Sequence, residues 1–93
     1  MVKIRVLEEA DDFMVFEVVG EDQSFLGMLT ERLNGHDGVQ YAGYRVEHPL
    51  TGVVSVSVKV DPRKTNPRKA VVEALGELKK LIAELESKAA ELR

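Results

Sequence analysis

From Pro67 onward the apolar residues fall at Val71, Leu75, Leu78, Ile82, Leu85, Ala89 and Leu92. The spacing alternates four and three residues, which keeps all of them on one face of an α-helix. Asn66 and Pro67 mark the start, because asparagine caps free backbone N–H groups and proline fits the first turn. A helix over residues 67–93 is about 40 Å long, whereas a strand of seven or eight residues spans only ~25 Å. The first half of the stripe must therefore cover the chain's own core, and the rest has no sheet beneath it. Leu81 beside Ile82 and Leu85 makes the stripe broader than a strict coiled-coil seam. Past Leu81 the expectation is intersubunit packing. The alternative is a frayed end, for which repeated leucine is a poor choice.

The rest of the chain has to supply what the helix covers. At 93 residues it is expected to form a single domain, 1–93, with a modest core. The 44% hydrophobic content and net charge of −3 argue against a disordered tail and against a strongly basic nucleic-acid-binding domain. Without cysteine there is no disulfide framework and no thiolate metal site. The opening MVKIRVLEEADD shows no secretory signal, and no apolar run is long enough for a membrane span. A soluble, cytoplasmic protein is expected.

Residues 2–7 alternate apolar and basic side chains, as an edge or half-buried strand does, and residues 8–12 read as an acidic turn. Residues 13–19 form a second strand with apolar residues on both faces, paired with the first as a hairpin. Such a strand is either covered on an added surface or buried by the chain's own long helix. Gly20, Glu21 and Asp22 close this unit, and Ser24 is the expected cap of a short helix ending at Asn34-Gly35. Asp37-Gly38 turns the chain into a third strand over 39–46. The stretch 47–52, with Pro49 in it, is expected to interrupt regular structure. Residues 53–60 alternate cleanly, with Val54, Val56, Val58 and Val60 on one face. The resulting order, ββαββα, predicts a two-layer α+β domain: a mostly antiparallel four-stranded sheet with both helices, including the long C-terminal one, on one face.

Chemistry is sparse. The glycines form no phosphate-binding pattern, and Gly43, inside a strand, marks a bulge, a close backbone approach or a ligand contact. His36 and His48 belong to no metal-ligand motif. His36 sits in a helix-ending turn, and His48 precedes a proline, where it either anchors the loop by a hydrogen bond or titrates near neutral pH. No nucleophile elbow is present, and the pairs Glu8-Glu9 and Asp11-Asp12 are explained by solvation. No catalytic, cofactor-binding or metal-ligating residue is therefore assigned. Lys59, Arg63, Lys64, Arg68 and Lys69 cluster around one acid, Asp61. They are either solvated loop charges or a contact for phosphates or an acidic partner surface. No aromatic residue interleaves them as a base-stacking platform would need.

The run VQYAGYRVEHPLTG over residues 39–52 resembles the signature of the archaeal RNA polymerase subunit L family. That family is related to the eleventh subunit of eukaryotic polymerase II and is similar to the dimerisation domain of the bacterial alpha subunit. KIRVLEE over 3–9, GEDQSFLGMLTERLN over 20–34 and the proline-led last helix fit as well, so the resemblance spans the chain. It implies a non-catalytic assembly subunit that pairs with a larger alpha-like subunit, called D in archaea. The heterodimer is the platform on which the large catalytic subunits assemble. RNA synthesis from a DNA template, a nucleotidyltransferase activity, then belongs to the complex, and direct nucleic-acid contact by this subunit is slight or absent. By position, Phe25, Leu26, Leu29 and Leu33 of the first helix and Leu75, Leu78, Ile82 and Leu85 of the second match the subunit interface. Tyr44, His48 and Pro49 match the motif, read as a structural loop or a subunit contact. The rival expectation is a free-standing homodimeric binding module or small enzyme on the same fold.

Overall fold

Valine alternation decides the architecture. The structure is a computed structural model describing residues 3–20, 23–48 and 50–91. Along the chain come β1 (Lys3–Glu9), β2 (Phe13–Val19), α1 (Gln23–Asn34), β3 (Val39–His48), β4 (Val53–Val60) and α2 (Pro67–Glu91). The strands form one sheet in the order β1-β2-β4-β3, and every neighbouring pair is antiparallel. The two most apolar strands take the centre. Their register sets Met14 beside Val58, Phe16 beside Val56 and Val18 beside Val54, so the buried faces form one continuous surface. Leu26, Leu29 and Leu33 of α1 and Val71, Ala74 and Leu78 of α2 pack on that surface, and Ala42 of β3 completes it. Both helices thus lie on one face, and the two layers measure 17 Å along the thinnest principal axis.

The helix ends follow from local chemistry. Asn66 caps α2 as expected, its Oδ1 accepting the Lys69 N–H at 2.8 Å. At the end of α1, the Asn34 side chain donates to the Ala42 carbonyl and accepts the Ala42 N–H, both at 2.9 Å. It mimics a neighbouring strand on the open edge of β3 and ties the helix to the sheet.

Several boundaries differ from expectation. β1 runs on to Glu9 with a bulge at Leu7, so the turn is confined to residues 10–12 and closes with the Ala10 N–H donating to the Phe13 carbonyl at 2.7 Å. β3 continues through Glu47 and His48, with an irregularity between Val46 and His48. A proline restricts its predecessor to extended backbone, which a strand accepts. The turn then closes on the His48 carbonyl, which accepts the N–H groups of Thr51 and Gly52, and Gly52 supplies a positive φ of 71°. Ser24 lies inside the first turn of α1 instead of ahead of it. Val2, Glu21, Asp22, Pro49 and Leu92 fall outside the described residues.

Gly43 is neither bulged nor crowded by backbone: it pairs regularly with Ser57. The Tyr41 ring lies across it, on the sheet face away from the helices, and fills the space a side chain would need.

Candidate association surface

The helices cover β2 and β4 but stop short of β1, every residue of which is exposed. Beside them an apolar groove of about 200 Å³ remains open. Its floor is Met14, Phe16 and Val18, its outer wall Ile4 and Val6, and its helical walls Phe25, Leu26 and Leu29 of α1 and Val71, Val72 and Leu75 of α2. Ile4 and Val72 on the rim are 62% and 63% exposed. Burying such side chains is worth about 1.5–3 kcal/mol each, so covering the groove would be favourable. At one end Arg68 makes a bidentate pair with Glu9, Nε to Oε2 at 2.9 Å and Nη2 to Oε1 at 2.7 Å. That pair clamps the start of α2 to β1, and the Arg68 hydrogen bonds hold the Glu9 carboxyl below the usual carboxylate range.

The second open region is α2 past Leu78. Leu78 itself is 3% exposed, but every described residue from Lys79 to Glu91 is exposed, among them Leu81, Ile82 and Leu85. The resemblance-derived residues therefore divide. Leu26, Leu29, Leu33 and Leu78 are buried in the chain's own core, Leu26 and Leu29 also forming a groove wall. Phe25 and Leu75 are half-buried on that wall, while Ile82 and Leu85 are open to solvent. Sequence reasoning does not reach Ile4, Val6 and Val72, because only the strand order reveals that β1 lies outside the helices' cover.

Tyr44 faces the helices, and its phenol lies beside Gly27 of α1. His48 ends β3, with its carbonyl rather than its imidazole anchoring the turn. Pro49 is outside the described residues. The basic cluster is largely neutralised: Arg63 pairs with Asp61, Lys64 with Asp37 and Arg68 with Glu9. His36 does meet a carboxylate, its Nε2 lying 2.9 Å from Glu77 Oε1, and Arg32 approaches the same oxygen at 3.5 Å. This group lies in an open cleft of about 520 Å³ between the end of α1 and α2. It joins the two helices, and the His36 hydrogen bond holds the Glu77 carboxyl below its ordinary range. No group of metal-ligating side chains occurs among the described residues, and none of their helices is long and apolar enough to cross a membrane.

A two-layer α+β domain with an open apolar groove and a half-uncovered helix stripe has the surfaces of a chain built to associate with another. The chain belongs to the RNA polymerase Rpb3/Rpb11 dimerisation domain family, which it matches over residues 14–88. Subunit Rpo11 of the DNA-directed RNA polymerase of Thermococcus kodakarensis is 37% identical over 73 residues, covering 77% of this chain and 78% of the relative. Its counterpart from Saccharolobus solfataricus is 29% identical over 73 residues, 78% of each chain. The crystal structure of DNA-directed RNA polymerase subunit L from Thermoplasma acidophilum shares the fold, with a TM-score of 0.84 at 24% identity over 98% of this chain and 88% of that one. The resemblance to archaeal subunit L thus holds, and the chain is a small RNA polymerase subunit with an Rpb11/L-type dimerisation domain.

Proposed function

We propose that this chain is a non-catalytic assembly subunit of a cytoplasmic RNA polymerase, acting as one domain over residues 1–93. It pairs with the larger alpha-like polymerase subunit, the one called D in archaea, and the pair forms the platform for the catalytic subunits. The observation that carries this reading is the coincidence, in a member of a dimerisation family, of the groove beside β1 with the uncovered stripe of α2. Phe25, Leu75, Ile82 and Leu85 are the named contacts nearest to solvent, and Ile4, Val6 and Val72 extend them. Leu26, Leu29, Leu33 and Leu78 contribute from beneath, by holding the helices in place. Tyr44 and His48 belong to β3 at the far edge of the sheet, and Pro49, outside the described residues, is carried with them as part of the motif.

Co-expression with the alpha-like subunit of the same genome, followed by native mass spectrometry, tests the pairing. A one-to-one heterodimer is expected. The double variant Ile82→Glu/Leu85→Glu should keep the fold, seen as an unchanged circular dichroism spectrum, and weaken the heterodimer by roughly a hundredfold or more, as loss of large apolar contacts does. A folded double variant that pairs normally sinks the interface assignment. The rival, a small enzyme, draws on the His36–Glu77 cleft. Arg32 and His36 already engage that carboxylate in a helix-to-helix contact, which accounts for the group without a substrate.

A further inference from the structure

Past Leu78, α2 carries a second pattern beside its apolar stripe. Around the helix, Lys79 and Glu86 lie on one flank of Ile82 and Leu85, two turns apart, while Leu81 and Lys88 lie on the other. Neither Lys79 nor Glu86 takes part in an ion pair among the described residues, whereas Lys88 approaches Glu91. One charge of each sign on the same flank is self-complementary under a two-fold axis. When an identical helix lies antiparallel on the stripe, Lys79 meets Glu86 of the second copy, and Glu86 meets Lys79 of the second copy.

We propose that, without a heterologous partner, residues 79–91 of α2 are covered by the same segment of a second copy of this chain, running antiparallel. Ile82 then packs against Leu85 of the second copy, and Ala89 of each helix reaches the level of Leu78 of the other. The register has a natural stop, because the domain's own core begins at Leu78. On the other flank, Leu81 lies against the aliphatic stem of Lys88 of the second copy. A parallel pair instead sets Leu81 beside Glu86 of the second copy and leaves Lys79 beside Ala74 of the second copy, with no charge matched. The overlap is short, so the pairing is weak and reversible, and it occupies the contacts assigned above to the heterodimer. Self-pairing and heterodimer formation therefore compete. The inference goes beyond the heterodimeric reading and does not rest on it.

Sedimentation of the full chain over a range of concentrations at low salt tests it, with Lys79→Glu, Glu86→Lys and their equimolar mixture. The wild type should show a concentration-dependent monomer–dimer equilibrium. Each variant sets like charges against each other at both symmetry-related contacts, and should weaken self-association by roughly tenfold. Mixing the two variants should recover dimer to about half the wild-type association at equal total concentration, well above either variant alone, because every 79–86 contact in the mixed dimer is of opposite sign. Only the antiparallel arrangement predicts that rescue. A wild-type chain that stays monomeric, variants that dimerise as the wild type does, or a mixture that fails to recover each overturns the proposal. A chain that is monomeric alone yet still captures the alpha-like subunit overturns self-pairing and leaves the proposed function standing.

Discussion

The two halves of α2 have one periodicity and two fates. Between Pro67 and Leu78 the helix buries Pro67, Ala70, Val71, Ala74 and Leu78; from Lys79 to Glu91 it buries nothing. The apolar spacing passes through this boundary unchanged. Periodicity therefore says which face of a helix seeks cover, but not which molecule provides it. In the first half, alanines at 70 and 74 let the helix settle closely on the buried rows of β2 and β4. In the second, leucine and isoleucine stand clear, with side chains large enough to reach a separate body. A short helix with no tertiary packing is marginal in water, so the second half of the isolated chain draws its order from continuity with the first.

Truncating one side chain on each side of the boundary gives the largest contrast. Leu78→Ala removes a fully packed core side chain and should cost the isolated chain about 2–5 kcal/mol. Leu85→Ala should change the stability of the dilute chain by no more than ~0.5 kcal/mol. Urea denaturation at low protein concentration measures both. Comparable losses at the two positions would erase the boundary and place Leu85 in the chain's own core. In the heterodimer the Leu85 variant should then show the cost it lacks alone.

A smaller change sharpens the same comparison. Gly76 lies near the junction of the two halves, exposed, with nothing within 4 Å of the position an added methyl group would take. Gly76→Ala should raise stability by about 0.5–1 kcal/mol and increase helix content, because it removes backbone freedom from the unfolded chain without a clash. Thermal unfolding followed at the helical circular dichroism band checks this. A loss of stability would mean that the open side of the junction is packed after all.

Much of this can be read from residues. β4 appears at its expected bounds because its valine alternation at period two reads as a strand, β2 because its apolar run is bounded by Asp12 and Gly20, and α2 begins at Pro67 because its cap and first turn are spelled out by Asn66-Pro67. The end of β3 is harder, because Pro49 reads as a breaker while its effect on His48 is to favour extended backbone. The bulge at Leu7 leaves no mark in the sequence, since bulged and unbulged strands share their apolar residues. The groove is hidden for a different reason. Ile4 and Val6 alternate like any half-buried strand, and only the order β1-β2-β4-β3 shows that no helix reaches them. The basic cluster likewise looks available in sequence, because Asp37 and Glu9, which pair with Lys64 and Arg68, lie far away along the chain.

The smallest expected effect concerns the clamp at the boundary itself. Glu77 is gripped by His36 and Arg32, so the end of α1 holds α2 one residue before the packed half ends. The His36 hydrogen bond, followed by the charges of His36 and Arg32, lowers the Glu77 carboxyl below its ordinary value of 4.5. A carboxylate lowered on folding adds stability that is fully present above its unfolded pKa and disappears as pH falls through the folded value. Stability should thus fall on acidification below about pH 4.5 with a slope that Glu77→Gln reduces. Glu9, Glu47 and Asp61 are lowered too, by Arg68, Ser55 and Arg63 respectively, and they contribute equally to both proteins. The difference between the curves below about pH 4.5 therefore reports Glu77 together with the groups that grip it. Because the group is exposed, the difference is small and shrinks with added salt. Curves that stay parallel down to about pH 3 would show that the clamp contributes nothing. The boundary in α2 would then be set by Leu78 packing alone.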